Sequence, residues 1–176
     1  HVSHAYLFEG IRGVGKRTLA AAFTAELFAR QEAEEGRRLL LRGAHPDLKR
    51  IGLADERKSI SKEQIQTGLV ADIGIRPYQS AYKVYIIEDA DKLTVEAQNT
   101  MLKTIEEPPA YGVIVLLAES STTLLPTILS RCVRIVLEPL SKELIAAALL
   151  RRGTPKDQAD AIAAFSGGSL GTALSL

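Results

Sequence analysis

Gly10, Gly13, Gly15 and Lys16 include the spacing of a phosphate-binding loop, G-x-x-x-x-G-K. The glycines let backbone N–H groups crowd around phosphate oxygens, and the lysine reaches the outer phosphates. A hydroxyl normally follows the lysine and holds Mg²⁺, but here that position carries Arg17. Thr18 comes one residue later, where a helix has turned its side chain by about 100°, so it is a poor substitute. Much further along, the apolar run Val84-Tyr85-Ile86-Ile87 ends in Glu88-Asp89, as a Walker B strand ends in acids that handle Mg²⁺ and the attacking water. The usual order, Asp then Glu, is inverted. Each carboxylate is thereby displaced by about an ångström, and a misplacement of about 1 Å can cost roughly 10²-fold in rate. These residues predict a nucleotide-hydrolase frame that hydrolyses weakly or not at all. The competing readings are a glycine-rich turn with a solvated Lys16 and a plain acidic turn behind a core strand.

The flanking segments supply what such a loop needs. Ala5 to Phe8 is a short apolar run before it, and Thr18 to Ala29 follows with Leu19, Ala22, Phe23 and Leu27 at helical spacing, giving strand, loop, helix. Asp47 to Ile51 reads as a strand. Ser61 and Gln64 have capping-box spacing ahead of a helical stripe of Ile65, Leu69, Val70 and Ile73. Thr94 is the expected N-cap of a helix carrying Leu93, Ala97, Met101 and Ile105, with Pro108-Pro109 as its stop. Val113 to Ala118 and Val133 to Leu137 read as two more buried strands. Five strands alternating with helices predict a doubly wound parallel sheet, with acids and loop gathered at its carboxyl edge. After Pro139 the pattern becomes purely helical, over Lys142 to Arg152, Asp157 to Phe165 and Ser169 to Leu176. This predicts an α/β domain over residues 1–139 and a small helical lid domain over 140–176.

The 176 residues, 46% of them hydrophobic, can bury one good core plus an appendage, which rules out a wholly disordered chain. A net charge of +1 gives no global pull toward nucleic acid or membrane. Between Arg37 and Lys62, eight basic residues face three acidic ones, a solvated face in the plainer reading and a polyanion contact in the other. Cys132 is the single cysteine, so neither an internal disulfide nor a multi-thiolate zinc site can form. A reducing cytoplasm is the expected location, since no apolar run is long enough to span a bilayer and the start lacks the layout of a signal peptide. Because the chain opens on His1 rather than Met, it is read as a trimmed piece.

Several stretches resemble the AAA+ module of bacterial clamp-loader subunits. They are His4-Ala5-Tyr6-Leu7-Phe8, His45-Pro46-Asp47-Leu48, Val84 to Leu93, Leu102-Lys103-Thr104-Ile105-Glu106-Glu107-Pro108-Pro109, Leu125 to Cys132 and Gly167-Gly168-Ser169-Leu170. The resemblance implies a AAA+ P-loop fold of five parallel strands with a helical lid. It also implies a further C-terminal collar domain, which these residues do not contain. Its ATP-hydrolysing gamma/tau members would carry a hydroxyl at 17, Asp-Glu at 88 and 89, and a sensor arginine near 171; this chain has Arg17, Glu88-Asp89 and Gly171-Thr172. Arg131, within Ser-Arg-Cys, is retained.

That combination implies the delta-prime type. In it Gly10, Gly13, Gly15, Lys16, Arg17, Thr18, Glu88 and Asp89 form a degenerate cradle, and Arg131 is an arginine finger offered in trans to a neighbour. A guanidinium is permanently charged and presents a planar fork of donors, which suits the charge spreading over a γ-phosphoryl group. ATP or ADP would bind weakly or not at all, with Arg17 standing in for the missing ion. Mg²⁺ would have no regular place, and the zinc module's cysteines are missing around Gln31 to Arg42. The implied partners are gamma/tau and delta loader subunits and, through the complex, the sliding clamp and primed DNA; no membrane is expected. The chain would serve a DNA polymerase III holoenzyme without being an autonomous ATPase. The alternatives are a catalytically active gamma/tau-type ATPase and a small P-loop kinase, and the second lacks an arginine-bearing lid.

Overall fold

A computed structural model describes residues 2–29, 44–54 and 56–176. The readings on Gln31 to Arg42, and the part of the basic stretch that falls there, lie outside the described residues. Strand β1 (Ala5–Glu9) leads into the glycine loop and then into helix α1 (Lys16–Ala29). Strand β2 (Leu48–Ile51) follows, then a helical run made of α2 (Lys62–Ile65), a π-helical stretch (Gln66–Val70) and α3 (Ala71–Ile73). The capping box forms as spaced, Gln64 Oε1 accepting from the Ser61 amide at 3.0 Å and Ser61 Oγ from the Gln64 amide at 3.4 Å.

Strand β3 (Lys83–Ile87) and strand β4 (Gly112–Ala118) are buried along their whole length, as parallel strands covered on both faces should be. Helix α4 (Val95–Glu106) lies between them in sequence, with Thr94 Oγ1 accepting from the Ala97 amide at 3.2 Å as its N-cap. A single turn, α5 (Pro126–Leu129), precedes strand β5 (Val133–Val136). The sheet runs β2-β3-β4-β1-β5 with every pairing parallel, so the expected doubly wound sheet of five strands is the one observed. One face packs Phe8, Val84, Ile86, Val115 and Leu117 against Ala20, Leu27 and Phe28 of α1. The other packs Leu7, Tyr85, Ile87, Ile114 and Leu116 against Ile65, Leu69, Ala97, Met101 and Ile105.

Three expectations need correction. Strand β5 is exposed at all four positions instead of buried, because among the described residues it is an edge strand paired with β1 alone. Its Arg134 turns back to grip Glu9, with Nε and Nη2 each 2.7 Å from Oε2. The buried face of α1 is Ala20, Thr24, Leu27 and Phe28 with Leu19 and Phe23 packed at its margin, so of the predicted stripe only Ala22 is exposed. Thr24 can be buried because its hydroxyl donates to the Ala20 carbonyl at 2.7 Å. The last helix is one turn, α8 (Leu170–Ala173), where Ser169 to Leu176 was expected.

Helices α6 (Lys142–Arg151) and α7 (Lys156–Phe165) precede it and share with it a separate small core of Ile145, Ala146, Leu149, Ala159, Ala163 and Ala173. Among the described residues, no helix is long and apolar enough to cross a membrane.

Candidate functional site

The loop leaves the carboxyl end of β1, and its course depends on glycine. Gly13 and Gly15 have φ of +76° and +112°, where a side chain would be strained. Lys16 opens α1 and turns its ammonium back onto the loop, donating to the carbonyls of Gly10 at 2.5 Å and Ile11 at 3.0 Å. Partial burial lowers the Lys16 pKa, while Glu119, Asp91 and Asp89 oppose that shift.

Glu88 and Asp89 follow β3, which β4 separates from β1, so the acidic pair and the loop face each other across one strand end. Arg17 spans that gap. Its Nη2 lies 2.6 Å from Glu88 Oε2 and 4.0 Å from Asp89 Oδ2. Arg50, on β2, approaches the other Glu88 oxygen at 3.8 Å. Arg17 is 69% exposed, so this pair adds at most about 1 kcal/mol to stability. Its consequence is positional, because the guanidinium lies against both carboxylates beside the glycine loop. The side chains beside the carboxylates are cationic, a donor set better suited to an anion than to Mg²⁺: Lys16 and Arg17 follow Gly15 directly, and a Cβ at Gly15 would meet no atom within 4 Å. Thr18 is exposed on α1 and makes none of these contacts. Asp89 is left-handed, with φ of 52°, so the chain turns sharply into a 3₁₀ turn (Ala90–Lys92).

The lid closes directly on the loop. The Gly171 amide donates to the Gly13 carbonyl at 3.0 Å, and a Cβ on Gly171 would come within 2.8 Å of Gly13 Cα. A Cβ on Gly13 would collide with Ser169 Oγ. The sensor arginine's position is thus occupied by a backbone-to-backbone contact that only glycine permits.

Arg131 is elsewhere. It joins Glu106 beside a cavity of about 220 Å³ that Ser3, His4, Ala5 and Pro108 also line, at the start of β1. The glycine loop leaves the other end of that five-residue strand, roughly 16 Å away. Arg131 Nη1 donates to the Thr127 carbonyl at 2.9 Å and meets Ser130 Oγ at 3.3 Å, while Nη2 pairs with Glu106 Oε1 at 2.9 Å. Burial pushes the Cys132 thiol up to about 11, so it is a poor nucleophile.

Two features escaped sequence reasoning. Glu106 was visible in the Glu-Glu-Pro-Pro stretch but had no assigned role, since its partner lies in the distant turn between α5 and β5. The Glu9–Arg134 pair that ties the strand below the loop to β5 had no local signal at all.

A P-loop following β1, an acidic pair one strand away behind β3, the strand order β2-β3-β4-β1-β5 and a helical lid over the loop define the AAA+ class of P-loop proteins. A family model described as "DNA polymerase III, delta subunit" matches residues 1–141, and the chain belongs to that family. It is 35% identical to the DNA polymerase III subunit delta' of Pseudomonas aeruginosa, over 95% of this chain and 53% of that protein. It is also 35% identical to the tau/gamma subunit of Haemophilus influenzae, over 81% of this chain and 21% of that one. A solved DNA polymerase III gamma subunit-related protein from Thermotoga maritima superposes over 97% of this chain and 55% of its own, with a TM-score of 0.63 and 24% identity. The chain thus spans about half the length of the delta' relative.

Proposed function

We propose that this chain is the AAA+ portion of a delta-prime-type subunit of the bacterial DNA polymerase III clamp loader, the machine that places a sliding clamp on primed DNA using ATP. Residues 1–139 are its α/β domain and 140–176 its lid. Percent identity alone does not separate delta-prime from tau/gamma, because both relatives are 35% identical, although the delta' match covers 95% of this chain and the tau/gamma match 81%. The site residues favour delta-prime.

The observation that carries the reading is the pairing of Arg17 with Glu88 and Asp89 while Arg131 stands at the opposite edge of the sheet. The cradle has lost its cation socket, and Arg131, at the far end of β1, does not reach the cradle of its own chain. Arg131 instead serves a neighbouring subunit's nucleotide, so that hydrolysis waits on assembly. The loop of Gly10, Gly13 and Gly15 with Lys16 and Arg17 holds phosphate weakly and without Mg²⁺. Gamma/tau and delta subunits are the direct partners, the clamp and primer-template DNA are met through the complex, and the location is the cytoplasm.

Two measurements test this. Labelled ATP titrated against the chain, with and without Mg²⁺, is expected to bind weakly, with no dependence on the ion and no turnover. Tight Mg²⁺-dependent binding with brisk turnover would instead establish the rival, an autonomous gamma/tau-type ATPase. In a loader reconstituted with the full-length subunit, Arg131→Ala is expected to leave folding intact and slow hydrolysis at the adjoining site by roughly 10³-fold. Unchanged turnover at that site removes the role in trans.

A further inference from the structure

We infer that Glu106 is the positioning residue for Arg131: it fixes the guanidinium at the cavity mouth so that its remaining donors face a neighbouring subunit. This rests on the reading of Arg131 as a finger acting in trans.

An arginine offered across an interface has four rotatable side-chain bonds, and unless something orders it, assembly must do so. Here three acceptors hold it in the free chain. The Thr127 carbonyl and Ser130 Oγ take Nη1, and Glu106 Oε1 takes Nη2. Thr127 belongs to α5 and Ser130 follows it directly, so these two contacts are local to the turn that carries Arg131. Glu106 alone reaches in from a different element, the last turn of α4, and so sets the direction of the fork relative to the sheet.

Its placement is otherwise unfavourable. A carboxylate at a helix C-terminus faces the negative end of the helix dipole, and a basic residue is what such a position normally wants. Arg131 supplies the compensating charge. The helix α4 ends at Glu106, and Pro108-Pro109 follow after the single residue Glu107, so the carboxylate projects from a fixed last turn. Among the described residues Arg131 Nε makes no hydrogen bond or ion pair, so the fork is only partly used by its own chain. Glu106 and Arg131 are 44% and 39% exposed, so the pair contributes little to stability and can be broken without unfolding the domain.

The test uses the full-length subunit reconstituted with its loader partners, clamp and primed DNA, with Glu106→Gln, Arg131→Ala and the double variant compared. Glu106→Gln keeps the shape and removes the charge. It is expected to lower kcat for the adjoining site by roughly tenfold to a hundredfold with KM for ATP unchanged, the cost of a misplaced group. In the Arg131→Ala background it is expected to do nothing further. A kcat that holds or rises with Glu106→Gln overturns the inference, and so does an equal fall in both backgrounds, which would mean that Glu106 acts other than through Arg131. If Arg131→Ala alone leaves turnover unchanged, the finger itself is wrong, and Glu106 falls with it.

Discussion

At the scale of single residues, one substitution reorganises the cradle. With a hydroxyl after Lys16, the two carboxylates behind β3 would be free to organise a cation; with Arg17 there, Glu88 is already neutralised at 2.6 Å. Because Arg17 is mostly exposed, replacing it changes binding chemistry more than stability. Arg17→Thr is therefore expected to leave the melting temperature nearly unaltered while making ATP binding depend on Mg²⁺, with roughly tenfold tighter binding in its presence. Hydrolysis should stay slow, since Glu88 and Asp89 remain in the inverted order and a displacement of about 1 Å is enough to suppress it. Equilibrium titration with and without the ion, together with steady-state turnover, reads both halves. Should Mg²⁺ make no difference to the variant, Arg17 is not what keeps the ion away.

At the scale of elements, the lid and the loop meet through two glycines, and that contact dictates what residue 171 can be. The Gly171 amide reaches the Gly13 carbonyl only because neither residue carries a Cβ. Gly171→Arg, which restores the residue type of a motor subunit, is expected to lift α8 from the loop. Hydrogen exchange should then speed up at the amides of 169–173 and 13–15, while those of β3 and β4 stay protected; equal protection throughout would show that the contact tolerates a side chain. How much of this was readable in advance varies with range. The loop, the Thr94 cap, the Ser61–Gln64 box and the stripe Ala97, Met101, Ile105 are local patterns, and all stand where the spacing put them. Strand β5 reads as buried because alternation in Val133 to Val136 says nothing about whether a strand lies at an edge. The Gly13–Gly171 and Glu106–Arg131 contacts were illegible because each joins segments that only the folded topology brings together. Gly171 was visible only as a missing arginine.

At the scale of the whole molecule, the sheet is polarised: the glycine loop and the acidic pair gather at the carboxyl ends of its strands, and Arg131 and its cavity lie by the amino ends. One polar cluster ties the β2–β3 side of this sheet together. Lys83 is buried on β3, and its ammonium reaches Asp72 Oδ2 at 2.8 Å and the carbonyls of Asp72 and Ile75 at 3.1 and 3.3 Å. Asp72 also takes Lys49 of β2 at 2.7 Å and the Tyr85 hydroxyl at 2.6 Å. Burial alone would raise the Asp72 pKa, but the hydrogen bonds from Lys49, Lys83 and Tyr85 outweigh it and bring it from an ordinary 3.8 down to about 2. A carboxyl depressed on folding stabilises the native state fully above its unfolded pKa, and that contribution disappears as the pH falls from about 4 to about 2. Allowing for residual solvent screening, it amounts to about 1–2 kcal/mol. Asp72→Asn at neutral pH is expected to cost more, about 3 kcal/mol, because it leaves the Lys83 ammonium buried without its counter-charge. Urea midpoints measured from about pH 7 down to about pH 2.5 should fall steeply for the natural chain below about pH 4 and show a flatter decline for the variant. Lys83→Met in the Asp72→Asn background should recover part of the loss at neutral pH, since it removes the stranded charge. If the variant instead follows the same acid slope as the natural chain, Asp72 is not the group that acid titrates to loosen the sheet.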